Sequence, residues 1–108
     1  MEPSKITIHD AKGRMDRDEE LLWVDARSPE AWEKSDVKLP GAIRMNGADE
    51  LMKTIPANRA LITYCSSPHE ESSVRAALGL INHGFENVHI LYGGLEAWQQ
   101  AGYPVETR

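Results

Sequence analysis

A single thiol, Cys65, is the residue of this chain best suited to covalent chemistry. It follows the apolar run Ala60-Leu61-Ile62-Thr63-Tyr64 and precedes the polar stretch Ser66-Ser67-Pro68-His69-Glu70-Glu71-Ser72. Beyond that stretch, Val74, Ala77, Leu78 and Ile81 recur at helical spacing. A sulfur between a strand end and a helix start meets backbone N–H groups that have no intrahelical partner. Those groups carry partial positive charge, so they stabilise a thiolate and can hold an anion. Nucleophilic sulfur chemistry needs no adjacent base in that setting. Cys65 is therefore the candidate nucleophile, and Ser66, Ser67, Pro68, His69, Glu70, Glu71 and Ser72 form the candidate substrate-binding loop. The competing reading is inert core, because cysteine is among the most buried residue types. The strand-end position and the small polar residues after it bring the two readings level.

The neighbours of the thiol divide in the same way. His69, four residues on, could act as acid, base or donor. The plainer reading, an exposed loop histidine, is preferred, since only one orientation reaches the sulfur. Glu70 and Glu71 favour a helix start but oppose an anionic substrate. Arg75 reads as a surface charge on the helix. Two helix starts fit: Ser67 as cap with Pro68 first, or a later one near Ser72 that leaves a wider cradle.

Composition excludes several chemistries. One cysteine supports neither a disulfide framework, nor a cysteine-rich zinc site, nor a resolving thiol. No metal and no cofactor is expected. Seventeen acidic against twelve basic residues, net −5, argue against nucleic acid or an anionic membrane as partner. No apolar run approaches the roughly 18 residues of a membrane span. Met1-Glu2-Pro3-Ser4-Lys5 leads into no signal-peptide core, so a cytoplasmic protein is expected. The 108 residues read as one domain over 1–108, long enough for a core built on packing alone.

The elements that must position the thiol alternate strand and helix. Ile6-Thr7-Ile8 begins the fold, and Thr7 with Asp10 reads as a capping box for a helix to about Met15. The charged run Asp16-Arg17-Asp18-Glu19-Glu20 is a solvated connection. Leu21-Leu22-Trp23-Val24 is apolar at consecutive positions, as in a strand buried on both faces, and ends at Asp25. Ser28-Pro29-Glu30 predicts a second helix start, and Leu39-Pro40-Gly41 a turn. A short strand over Ala42–Met45 precedes a helix near Ala48–Lys53. After the cysteine strand, Val74, Ala77, Leu78 and Ile81 predict one apolar helix face, ended by Gly84. Val88-His89-Ile90-Leu91 is a further strand, broken by Gly93-Gly94. Leu95, Trp98 and Ala101 predict the buried face of a last helix, closed by Gly102 and Pro104. Such βα repeats give a parallel sheet covered by helices, with reactive groups beyond the carboxyl ends of the strands. Asp25 and Cys65 should then share one edge.

In this order and spacing the chain resembles the rhodanese-like (sulfurtransferase) domain family over nearly its whole length. Three stretches carry the resemblance. They are Val24 to Trp32 followed by Pro40-Gly41-Ala42-Ile43, then Tyr64-Cys65 with its loop and helix, then Leu91-Tyr92-Gly93-Gly94-Leu95-Glu96-Ala97-Trp98 followed by Gly102-Tyr103-Pro104. The resemblance implies a three-layer α/β/α fold with a five-stranded parallel sheet. It implies that Cys65 takes sulfane sulfur from a small donor as a persulfide and yields it to a thiophilic acceptor, a small nucleophile or a protein. It makes Asp25 and Arg27 structural residues near the active edge, held by charge-assisted hydrogen bonds, and Trp98 core.

Departures from the family pattern set further expectations. Trp32 to Pro40 is about two residues longer than usual, and Lys38 stands where a histidine is common, so that corner should be rebuilt. The loop after Cys65 is also longer, and resembles C-x-x-P-[NH]-E variants of the family. Two glutamates in it should cost thiosulfate about 1 kcal/mol of binding.

Two other functions compete. A cysteine phosphatase of this fold needs an arginine closing a C-x-x-x-x-x-R loop, but position 71 is Glu71. A non-catalytic interaction or redox-sensing module would keep the fold and use the thiol differently.

Overall fold

The computed structural model describes residues 3–17, 20–45, 53–66 and 71–108. Strand β1 (Ser4–Ile6) leads through Thr7 into helix α1 (Ile8–Asp16). Strand β2 (Leu21–Asp25) is followed by α2 (Pro29–Lys34), then by the two-residue strands β3 (Val37–Lys38) and β4 (Ile43–Arg44). Strand β5 (Ala60–Tyr64), helix α3 (Glu71–Asn82), strand β6 (Val88–Leu91), helix α4 (Gly94–Gln100) and strand β7 (Glu106–Thr107) complete the order. Five strands form a parallel sheet in the order β1-β6-β5-β2-β4.

The sheet is buried on both faces, and that explains its unbroken apolar strands. On one side Trp23, Ile62, Tyr64 and Leu91 pack with Ala11 of α1 and with Leu95 and Trp98 of α4. On the other side Val24, Leu61, Val88 and Ile90 pack with Ala77 and Leu80 of α3 and with Phe85. The result is the three-layer α/β/α fold expected. Each large side chain buried this way contributes about 1.5–3 kcal/mol. Trp98 also stacks edge-on against Trp23 at 5.3 Å and donates its indole N–H to the Pro104 carbonyl at 2.7 Å.

The caps follow from side-chain chemistry. Thr7 Oγ1 accepts the Asp10 N–H at 3.1 Å, and Ser28 Oγ accepts the Ala31 N–H at 3.2 Å with Pro29 in the first turn. Ile8 thus belongs to α1 rather than to the first strand. Helices α3 and α4 end alike. Gly84 (φ 106°) and Gly102 (φ 77°) turn the chain left-handed. Phe85 and Tyr103 then donate their N–H groups to the Leu80 and Trp98 carbonyls at 3.1 and 3.2 Å.

Two expected helix faces are corrected. Leu78 is exposed (42%), and the buried residues of α3 are Ser73, Ala77 and Leu80, with Val74 and Ile81 at the margins. The face is turned by about one residue because it presents Ser73 to the cysteine strand. Ala101 is exposed, as it lies past the end of α4. The helix expected near Ala48–Lys53 falls outside the described residues, save Lys53, which is helical with Thr54.

A small second sheet was not foreseen. β3 and β7 pair antiparallel, Val37 with Thr107 and Lys38 with Glu106. Lys38 Nζ donates to the Ala42 carbonyl at 2.9 Å and lies 3.4 Å from the Glu106 carboxylate. Glu106 in turn accepts the Gly41 N–H at 2.8 Å. These contacts build the corner before the Pro40-Gly41 turn around Lys38. Among the described residues no helix is long and apolar enough to cross a membrane.

Candidate functional site

The parallel pairing of β2 with β5 sets Asp25 opposite Tyr64, and the Ala26 N–H donates to the Tyr64 carbonyl at 2.9 Å. Cys65, one residue further, therefore sits at the same carboxyl edge as Asp25. The thiol is buried (3% exposed).

Two helices grip the cysteine. The first turn of α4 turns its N–H groups on the chain around Cys65: Leu95 donates to the Cys65 carbonyl at 2.8 Å and Glu96 to the Ser66 carbonyl at 3.0 Å. Those N–H groups have no intrahelical partner, so the cysteine segment completes the helix end. Gly93 makes this approach possible. Its φ is +86°, and a Cβ there would lie 2.6 Å from the Ala97 Cβ. From the other face of the sheet, α3 brings the buried Ser73 hydroxyl to the sulfur, donating to Sγ at 3.7 Å. The Thr63 hydroxyl donates to the Ser73 carbonyl at 2.9 Å and fixes that helix end to the strand.

Asp25 and Arg27 form the buried framework behind this edge. Arg27 Nε lies 3.1 and 3.0 Å from the two Asp25 oxygens, and its Nη2 donates to Oδ2 at 2.7 Å. The Arg27 backbone N–H also donates to Oδ1, at 3.0 Å. A second donation from the guanidinium, to the Val37 carbonyl at 3.0 Å, ties in β3. Arg44 adds a guanidinium 3.8 Å from Oδ1 and donates to the Asp25 carbonyl at 3.1 Å. Tyr64 donates its hydroxyl to Oδ2 at 2.9 Å. Burial first, and then the Asp25 charge, hold the phenol far above its usual range, so Tyr64 remains a donor. A buried charge needs such a set of partners.

The loop residues are placed unevenly. Ser66 is exposed, and its carbonyl is the one that α4 takes. Ser67, Pro68, His69 and Glu70 lie outside the described residues. Glu71 opens α3, and Ser72 lines a cleft beside it. The earlier of the two helix starts, at Ser67, also falls outside the described residues. Sequence reasoning missed three groups: Ser73, Arg44 and the Tyr64 hydroxyl. Ser73 alone left a signal. It stands four and seven residues before Ala77 and Leu80, a polar residue on a buried stripe.

Comparisons with known proteins agree with this architecture. Residues 7–101 match the rhodanese-like domain. The chain is 30% identical over 102 residues to a thiosulfate sulfurtransferase GlpE of Vibrio cholerae, covering 94% of this chain and 93% of that protein. It is 32% identical over 91 residues to the protein of the same name from Actinobacillus succinogenes, covering 82% and 78%. The solution structure of a rhodanese-like domain from Anabaena superposes with a TM-score of 0.82 at 28% identity, covering 98% of this chain and 80% of that one.

Proposed function

Since the chain belongs to the rhodanese-like domain family and is similar to proteins named thiosulfate sulfurtransferase, we propose that it is a sulfurtransferase with Cys65 as its persulfide carrier. The observation that carries this reading is the seat of Cys65. It lies at the carboxyl end of β5, with the Ser73 hydroxyl on its sulfur and its carbonyl taken by the first turn of α4. The Ser73 hydroxyl is a preorganised donor to charge on the sulfur, and the α4 bonds to the Cys65 and Ser66 carbonyls hold the segment that carries it.

The steps balance as follows. The Cys65 thiolate attacks the outer sulfur of thiosulfate, the S–S bond of the donor breaks, and sulfite leaves with the electron pair. The persulfide anion remains on Cys65. A nucleophilic acceptor, cyanide in an assay, attacks the outer sulfur, takes it as thiocyanate and returns the thiolate. No cofactor or second thiol enters.

Mass spectrometry of the intact protein after exposure to thiosulfate, and separately to a small persulfide, tests this. The expected result is a gain of one sulfur, absent in Cys65→Ser. Reduced protein that gains no sulfur from either donor would sink the proposal.

A further inference from the structure

Away from the thiol, toward the amino ends of β1 and β6, three side chains form a linked row. Ser4 Oγ lies 2.7 Å from His89 Nδ1, and His89 Nε2 lies 2.8 Å from Asn87 Oδ1. Ser4 and His89 are partners in the parallel pairing of the two strands. Directly paired residues share one face of a sheet, so the two side chains meet there. Cys65 follows the carboxyl end of β5, at the opposite edge.

The row has a direction. An amide oxygen only accepts, so the His89 proton sits on Nε2 and points to Asn87. Burial and the Arg14 charge keep the ring neutral. Nδ1 then offers a lone pair, and the Ser4 hydroxyl donates to it. Asn87 is itself anchored, since its backbone carbonyl accepts the Leu61 N–H at 2.9 Å. Backbone pairing already joins β1 to β6, so the row is not needed to hold the strands together. A hydroxyl on an imidazole lone pair, with the far nitrogen oriented by a third group, is the arrangement of an activated nucleophile. Ser4 is exposed on the outermost strand of the sheet, where an electrophile can reach it. The charge that bears on the ring, Arg14 of α1, also favours the oxyanion that attack creates.

We infer that Ser4, His89 and Asn87 form a second nucleophilic site, at which Ser4 takes the acyl group of a small activated ester. Ser4 is the nucleophile, His89 the base and Asn87 a positioning residue. Ser4 Oγ attacks the ester carbonyl carbon while its proton passes to His89 Nδ1. The bond from that carbon to the leaving oxygen breaks, and the leaving group departs with the electron pair and takes the proton from Nδ1. The acyl group stays on Ser4. Water, giving a proton to the same nitrogen, then releases it as the carboxylic acid and restores the hydroxyl.

The test uses p-nitrophenyl acetate on the full chain carrying Cys65→Ser, so that the thiol cannot compete. The readouts are p-nitrophenol release and the acetylated residue, found by peptide mapping. One acetyl on Ser4 is expected. Ser4→Ala should abolish it, and His89→Gln should slow it about a hundredfold, the scale of a general base. Asn87→Ala should slow it about tenfold, the scale of one hydrogen bond, with recovery in Asn87→Asp. Asn87 is exposed, so its replacement leaves the core packing in place. Urea unfolding of each variant separates lost chemistry from lost fold, and should His89→Gln fail to fold, the two Asn87 variants decide. Sulfur transfer by Ser4→Ala with Cys65 intact should match the wild type, which keeps the two sites distinct. Acetyl on lysines alone or nowhere, or acetylation of Ser4 undiminished in folded His89→Gln or in Asn87→Ala, overturns the site.

Discussion

The Tyr64 hydroxyl donates to Asp25 Oδ2 at 2.9 Å and accepts the Leu39 N–H at 3.3 Å. The residue just before the thiol is thereby tied to the buried Asp25–Arg27 pair and to the corner before Pro40. Tyr64→Phe removes both bonds and leaves the Leu39 N–H buried. It should cost about 1–3 kcal/mol of stability, measured by urea unfolding.

Arg27→Met should cost more. It leaves the Asp25 charge with the more distant Arg44 guanidinium and removes one of two donors to the Val37 carbonyl, the Ser35 hydroxyl remaining at 3.0 Å. Breaking a buried pair from one side costs about 3–5 kcal/mol. The double variant with Asp25→Asn should be less destabilised than the sum of the single ones, and simple additivity would deny the coupling.

Ser73→Ala deletes the hydroxyl that meets Sγ. The kcat for sulfur transfer should fall about tenfold, the worth of a hydrogen bond to a charged group. Alkylation of Cys65 by iodoacetamide at neutral pH should slow in parallel. Loss of stability with an unchanged alkylation rate would mark Ser73 as structural only.

Gly93→Ala tests the grip of α4 on the cysteine segment. The left-handed backbone (φ +86°) costs an alanine about 1–2 kcal/mol, and the clash with Ala97 adds about 1–3. The variant should unfold at lower denaturant and transfer sulfur more slowly, since Leu95 and Glu96 shift from the Cys65 and Ser66 carbonyls. Wild-type stability would mean that the turn relaxes without strain.

Acid should weaken the fold in a window that His89 defines. Burial, and then the Arg14 charge, hold its imidazole below the ordinary 6.5. Neutral His89 fits its partners: Ser4 Oγ is 2.7 Å from Nδ1, and Asn87 Oδ1 is 2.8 Å from Nε2. Above 6.5 both states are neutral and the histidine adds no slope. As pH falls below 6.5 the unfolded chain takes the proton first, and stability drops until the folded value is passed. Glu106 acts in a lower window. The Gly41 N–H holds its carboxyl below the ordinary 4.5, so its contribution is present above 4.5 and lost as pH falls through the folded value. Unfolding midpoints followed across pH should show the upper slope flattened in His89→Gln.

Much of the fold was legible because its signals are local. Strands buried on both faces must be apolar at every position, and Leu21 to Val24 and Ala60 to Tyr64 are nearly so. The caps Thr7 and Ser28 bond within three residues of themselves, and Gly84 and Gly102 supply the left-handed turns. Val74, Ala77, Leu78 and Ile81 had the right spacing but the wrong centre, since Ser73 is buried only through bonds to Thr63 and Cys65. β3 and β7, two residues each, have no periodicity to read, and their pairing depends on Lys38 meeting Glu106 across the chain.

The sequence by itself determined the alternation of elements, the family likeness and the shared edge of Asp25 and Cys65. All of these follow from apolar patterning and strand direction. Only the tertiary structure decided what holds the cysteine. The Ser73 hydroxyl reaches the sulfur from α3 and the N–H groups of α4 reach the Cys65 and Ser66 carbonyls, and they meet at this segment only when three layers pack. Spacing along a chain cannot report such a meeting, because the hydrogen bonds that make it span the fold.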